Sequence, residues 1–358
     1  MCSCVWAANA WARSVHIRGI AYEFNNTTVR LGGATIRVAE RPRIRATVRR
    51  NGSYDLVVPD RANITPYITA VGYHTIYLQT FRTAGENLAR VNFQTPRESI
   101  YRALAALLEV PLDEHGELRQ CGIVSTFSTR NVRDLSFRGF TRYGAHGVAA
   151  ATASATPALR DPVYFNEDVI PDPLQQLSSI DGGVIWTRVP NGVFRIRAHH
   201  PATRFASFVA TCKPGRVVNA NPPWGLHELG KRNTAKVSLT WSGTQLRRFR
   251  VTDLPPRATV RLSCAGNGCT FRSRSTERNG RSAIDLLQDL GAAPREVTAG
   301  QTLEVRVSAH AYDGKLVRYR LRSGQRPSAV IRCVPLGNTK PRRHCCLLYT
   351  SPSPRDRS

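Results

Sequence analysis

The chain has 358 residues, enough for two or three domains that each bury a core, and 41% of them are hydrophobic, an ordinary globular proportion. No apolar run approaches the roughly 20 residues that a membrane-spanning helix needs. The formal net charge is +26, but of 51 Lys+Arg only Lys213, Lys231, Lys236, Lys315 and Lys340 are lysine. An arginine excess so lopsided, in a chain rich in Ala and Gly, points to a GC-rich genome before it points to a ligand. The charge is also uneven: residues 231–345 hold 23 basic and 7 acidic groups, net +16, against 26 and 17, net +9, in residues 1–230.

Residues 1–13 contain Ala8-Asn9-Ala10, the small-x-small pattern that precedes a signal-peptidase cut, and are expected to be the remnant of a secretion signal. Residues 14–94 read as a first β-module. A strand opens at 15–19, and a second spans 33–38 with Ala34, Ile36 and Val38 on one face. Asn51-Gly52, the strongest short hairpin signal, leads into the alternating 54–58. Residues 95–145 are a helix and connector. Thr95-Pro96-Arg97-Glu98 reads as a capping box with Pro at the first helical position. Ile100, Leu104, Leu107 and Leu108 then share a helical face, and Pro111 stops the run.

A strand at 121–127 follows. Residues 146–229 then repeat the opening of the first module and carry a second Asn-Gly signal at Pro190-Asn191-Gly192, between 184–189 and the alternating 193–198. The recurrence predicts a duplicated β-module. Residues 212–225, rich in Pro, Asn and Gly, read as an ordered loop pinned by Cys212 and Trp224. Residues 230–345 show short strands at regular spacing, 235–241, 246–252, 259–263, 302–308, 316–321 and 329–334, the pattern of an immunoglobulin-like sandwich with Trp241 as a core aromatic.

Two resemblances sharpen this outline. Gly33 to Val38, Gly52 to Leu56 and Gly72-Tyr73 resemble the strand, turn and closing motifs of the carboxypeptidase regulatory-like domain, a transthyretin-like β-sandwich. The knuckle from Ser263 to Cys269 and the terminal cysteines resemble Ig-like C-terminal domains on exported proteins of GC-rich bacteria. Together they imply a mainly β chain: two transthyretin-like β-sandwiches with one intervening helix, then an Ig-like β-sandwich. Residues 346–356 resemble translated sequencing adapter, and the tail 346–358 is set aside from fold reasoning.

Of nine cysteines, Cys264 and Cys269 suit a local staple, Cys333 and Cys345 bracket the end of the last module, and Cys121 and Cys212 stand alone in the middle. Such usage fits an oxidising compartment, and no repeated Cys-x-x-Cys argues for zinc. Catalytic signatures such as His-Glu-x-x-His, Gly-x-Ser-x-Gly or a phosphate-binding Gly-rich loop are absent from the sequence.

Transthyretin-like sandwiches also include intradiol dioxygenases, which hold iron with two tyrosines and two histidines. Tyr164, His199 and His200 are the nearest match, but adjacent histidines on a strand face opposite ways, so no metal or other cofactor is assigned. The acidic Glu167, Asp168 and Asp172 read as a solvated loop. The function expected is that of a secreted, non-catalytic β-sandwich protein of the bacterial envelope, in adhesion, carbohydrate contact or scaffolding. Its partner would be a cell-envelope polysaccharide or protein, with Trp186 and Trp224 as sugar-stacking surfaces. The alternative is a polyanion binder using Arg318, Arg320 and Arg322; a metal-dependent oxygenase is the third reading.

Overall fold

The computed structural model describes residues 14–133, 135–242, 245–288, 298–322, 325–335 and 341–343. The chain is mainly β and divides into two compact units, one ending at Glu228 and the other beginning at Leu229. The expected signal remnant, residues 1–13, and the adapter-like tail, residues 346–358, lie outside the described residues.

The first unit is built on one nine-stranded sheet. Its order is Pro171–Asp172, Val163–Phe165, Gly183–Val189, Cys121–Thr126, Val217–Ala220, Tyr73–Tyr77, Pro66–Ala70, Thr35–Val38 and Arg41–Thr47. Strands from both expected β-modules therefore lie in the same sheet. Val217–Ala220 joins them, running parallel to Cys121–Thr126 on one side and to Tyr73–Tyr77 on the other. This strand falls in the segment read from sequence as a loop. All four of its residues are buried, so it lacks the polar–apolar alternation that marks a half-exposed strand.

The two ends of the sheet use opposite faces. At the Thr35–Val38 end, Ile36, Ile68 and Ile76 pack with Val15, Ile17, Leu56 and Val58 from Ser14–Glu23 and Ser53–Pro59. At the other end, Ile123, Val184 and Trp186 pack with Phe194, Ile196 and Phe208 from the three-stranded sheet of Thr152–Thr156, Gly192–His199 and Phe208–Cys212. Period-two alternation explains how one strand serves both: Val217 belongs to the first core, Val218 and Ala220 to the second.

Both Asn-Gly signals mark real reversals, but neither makes the paired hairpin expected. At the first, the Gly52 amide donates to the Arg49 carbonyl, with Gly52 at φ 82°. Beyond the turn the strands separate, Arg41–Thr47 pairing with Thr35–Val38 and Ser53–Pro59 with Ser14–Glu23. At the second, Gly183–Val189 stays in the nine-stranded sheet while Gly192–His199 enters the three-stranded one. The turns carry the chain between layers because each flanking strand has a longer apolar face to satisfy elsewhere.

The expected helix is present at Glu98–Leu107, with its start and its buried face both shifted. Its N-cap is Arg97, without a side-chain cap, and Thr95 is buried at the end of the strand Phe93–Thr95. Tyr101 and Ala105 are buried, with Leu104 and Leu108 half-buried, whereas Ile100 and Leu107 are 44% and 52% exposed. The packed stripe is thus Tyr101, Leu104, Ala105 and Leu108, at the i, i+3, i+4, i+7 spacing.

The second unit packs a three-stranded sheet, Lys236–Ser242, Gln245–Thr252 and Ala283–Asp285, on a five-stranded one in the order Ser273–Glu277, Thr259–Ala265, Thr302–Ser308, Gly314–Arg322 and Gln325–Val334. Phe249, Val251 and Ile284 face Val260, Leu262, Val305 and Val307 across one core. Phe249 and Tyr319 meet edge to face at its centre, 6.0 Å apart, while Trp241, the core aromatic expected from sequence, is half-buried at its margin.

Candidate functional site

The two expected surface aromatics differ in exposure. Trp186 is 4% exposed, and its indole Nε1 donates to the Arg160 carbonyl at 2.9 Å. It lies inside because the covered face of Gly183–Val189 carries Val184 and Trp186 together. Trp224 is half-buried, edge-on to Phe81 at 5.3 Å, with Nε1 donating to the Ala89 carbonyl at 3.2 Å.

The three metal candidates are likewise dispersed. The Tyr164 hydroxyl accepts from the Ala153 amide at 3.0 Å inside the second core, and burial raises its pKa. His199 is exposed, with Nε2 at 2.8 Å from Ser154 Oγ, and His200 Nδ1 accepts from the Ala202 amide at 3.1 Å. Among the described residues no group of three or more His, Cys, Asp or Glu gathers to hold a metal.

The cysteines do come together. Cys121, in the nine-stranded sheet, is bonded to Cys212, in the three-stranded one, with a Cα–Cα distance of 5.5 Å and both residues buried. It is a rivet between layers. Cys264 and Cys269 close the local staple at 5.8 Å. Cys333 is also disulfide-bonded, and its expected neighbour Cys345 lies outside the described residues.

A titratable cluster that sequence reasoning missed sits under the helix. His74 is 1% exposed, and its ring stacks on Tyr101 with centroids 3.5 Å apart. Nδ1 lies 3.5 Å from Glu98 Oε1, and Nε2 lies 3.5 Å from Glu117 Oε2. Burial lowers the His74 pKa, against the raising effect of the Glu98 charge. Burial, then the Glu98 and Asp113 charges, raise that of Glu117. Beside it, Tyr101, Leu104, Ala105 and Leu108 roof an apolar cavity of about 80 Å³ over Ile76, Val124 and Ile185. That volume is small beside an engineered cavity of about 150 Å³ that holds benzene. His74 Nδ1 faces Glu98 on the helix, whereas Nε2, though near Glu117, has no hydrogen-bond partner among the described residues, so the ring is enclosed and stacked on Tyr101 rather than presented as a nucleophile or an open ligand set. Nothing local in Tyr73–Tyr77 marks His74, because its partners lie more than twenty residues away.

In the second unit the predicted arginines share one face but are not equivalent. Tyr319 and Leu321 point inward, leaving Arg318, Arg320 and Arg322 outward. Arg318 Nε and Nη2 donate to Glu304 Oε2 at 3.0 and 2.6 Å, which takes up much of its charge. The same outer face carries Arg261, Arg306 and Arg332, in strands from which sequence reasoning selected no arginine.

No family model and no curated protein matches the chain. Among solved structures it is similar to a streptococcal ancillary pilin, at 8% identity and a TM-score of 0.20, covering 89% of this chain and 95% of that one. It is similar to the Bacillus anthracis TIE protein at 10% identity and 0.19, covering 88% and 48%. The pilus adhesin SpaC from Lactobacillus rhamnosus GG, in its open conformation, matches at 8% and 0.16, covering 91% and 40%. At TM-scores this low the likeness carries no argument about function.

Proposed function

We propose that this chain is an exported, non-catalytic β-scaffold protein that acts at the cell surface by contact with other envelope components. One observation carries the reading: the buried Cys121–Cys212 bond links the two layers of the first unit, 91 residues apart in sequence. A cross-sheet cystine of this kind persists in oxidising surroundings and is rare where thiols are kept reduced. The inward-turned His74 cluster, with a glutamate at each ring nitrogen, supports a structural rather than a catalytic use of the titratable groups. The buried state of Trp186 moves the contact surface away from tryptophan stacking and towards the polar outer faces of the sheets.

The test is protein recovered from its own cells by acid quench, which protonates thiols and halts exchange, then denatured without reductant and treated at neutral pH with a thiol-specific polyethylene glycol maleimide. Cys121, Cys212, Cys264 and Cys269 are expected to stay unlabelled, and the protein is expected to be degraded when intact cells meet an added protease. Labelling of Cys121 and Cys212 with full protease protection would refute export.

A further inference from the structure

We infer that the cavity beneath the helix Glu98–Leu107 is a binding site for a slender aliphatic alcohol, a straight hydrocarbon chain ending in one hydroxyl. The site lies wholly within the first unit, and the inference goes beyond the exported-scaffold reading without resting on it. Val217 and Asn219 alternate with Val218 and Ala220 along one buried strand, and both line the cavity. Asn219, Val124 and Ile185 are register partners across three neighbouring strands and form one row along its floor. At about 4.8 Å between strands, the row is roughly 10 Å long.

Asn219 is what points to a ligand. The residue is 5% exposed, and its Nδ2 donates to the Gln94 carbonyl at 3.5 Å. That contact fixes the orientation of the amide, since a carbonyl accepts only from the nitrogen. Oδ1 has no hydrogen-bond partner among the described residues. A buried carbonyl oxygen left unpaired destabilises a fold, and a donor carried in by a ligand offsets that penalty. A buried water is held by about three hydrogen bonds, whereas of the residues lining this cavity only Asn219, Thr187 and Tyr101 have polar side-chain atoms. A hydrocarbon with a single hydroxyl matches better: one donor for Oδ1, and apolar surface for the remaining wall.

Shape selects a chain over a ring. The cavity measures about 80 Å³, too little for an aromatic ring, which takes about 150 Å³. It shares Leu108, Ile185 and Thr187 with a larger cleft of about 460 Å³. The charged residues lining that cleft, Arg160, Arg188, Glu109 and Asp161, balance one another, so nothing there calls for an ionised group. Asn219 stands at one end of the floor row, and Ile185, which borders the cleft, at the other. The hydroxyl is therefore held by Asn219, and the chain runs over Val124 and Ile185 towards the cleft.

The experiment follows the methyl NMR signals of Ile76, Val124 and Ile185 in the whole chain during titration with n-hexanol, whose extended length is close to that of the row. These signals should shift together and saturate. Methyl pentyl ether has the same heavy-atom count and no donor, and should bind about 5- to 10-fold more weakly. n-Butanol should bind about 10- to 15-fold more weakly than n-hexanol, at roughly 4-fold per buried methylene. Cyclohexanol, too wide for the cavity, should leave the three signals unshifted. Asn219→Leu should bring n-hexanol and the ether to within about 2-fold of each other, because the acceptor is gone.

Equal affinities of n-hexanol and the ether for the wild-type chain would overturn the inference, because Oδ1 would then take no part. So would cyclohexanol binding as tightly as n-hexanol, or no saturation up to the solubility limit. Shifts confined to the exposed Ile100 and Leu174 would mark adsorption at the surface and overturn it too, as would an unchanged alcohol preference in Asn219→Leu. Circular dichroism verifies folding of the variant; should it unfold, the alcohol, ether and cyclohexanol comparison on the wild-type chain carries the test. The cysteine-labelling assay for export is independent of every outcome here.

Discussion

Removing the Cys121–Cys212 bond should cost the first unit far more than removing Cys264–Cys269 costs the second. A cross-link restrains the unfolded chain, and the loss of loop entropy grows with the length enclosed. For a separation of 91 residues the loop-entropy relation gives about 4.6 kcal/mol at 25 °C. For a separation of 5 it gives about 2 kcal/mol. Urea unfolding is followed by fluorescence in a Trp6→Phe, Trp11→Phe, Trp241→Phe background, so that the two remaining tryptophans, Trp186 and Trp224, report on the first unit. At a slope of about 2.5 kcal/mol per molar urea, the variant Cys121→Ala, Cys212→Ala should lower the midpoint by about 1.8 M. The variant Cys264→Ala, Cys269→Ala should leave that transition in place. Both cysteines are buried, so the alanines also leave small voids, which add to the loss. A drop below about 0.5 M would refute the argument, because the layers would then be held without the rivet.

Two further outcomes are expected. His74 has a folded pKa below its unfolded value, so the folded state favours the neutral ring. The stability from this difference is fully present above the unfolded pKa, about 6.5, and is lost as pH falls through the folded one. The first unit should therefore weaken as pH falls below about 6.5, and His74→Gln should flatten that slope; parallel pH profiles would contradict the assignment. Glu117, shifted upward, acts with the opposite sign at lower pH. On the helix, Ile100→Glu and Leu107→Glu should each change stability by less than about 0.5 kcal/mol, whereas Ala105→Glu should cost more than about 3 kcal/mol by placing a charge in the roof of the cavity. The reverse ranking in thermal melts would restore the stripe expected from sequence.

The amino-acid sequence determined what short-range chemistry can encode. Alternation located most strands of the second unit, apolar spacing the helix, Asn-Gly both reversals, and the cysteines an oxidised framework. Tertiary structure alone decided which strands pair and which face of each is covered. Asn51-Gly52 and Asn191-Gly192 turn the chain in either case, and only the apolar surface waiting in Ser14–Glu23 or Phe208–Cys212 sends the next strand to another layer. Val217–Ala220 could not be read locally, because a strand covered on both faces has no alternation and this one is bounded by glycine and proline. The same long-range choice buried Trp186, assembled His74 with Glu98 and Glu117, and set Arg261 opposite Arg306. Each of these depends on residues far apart in the chain whose meeting is fixed by the burial of apolar area over whole sheets, not by the preference of any one segment.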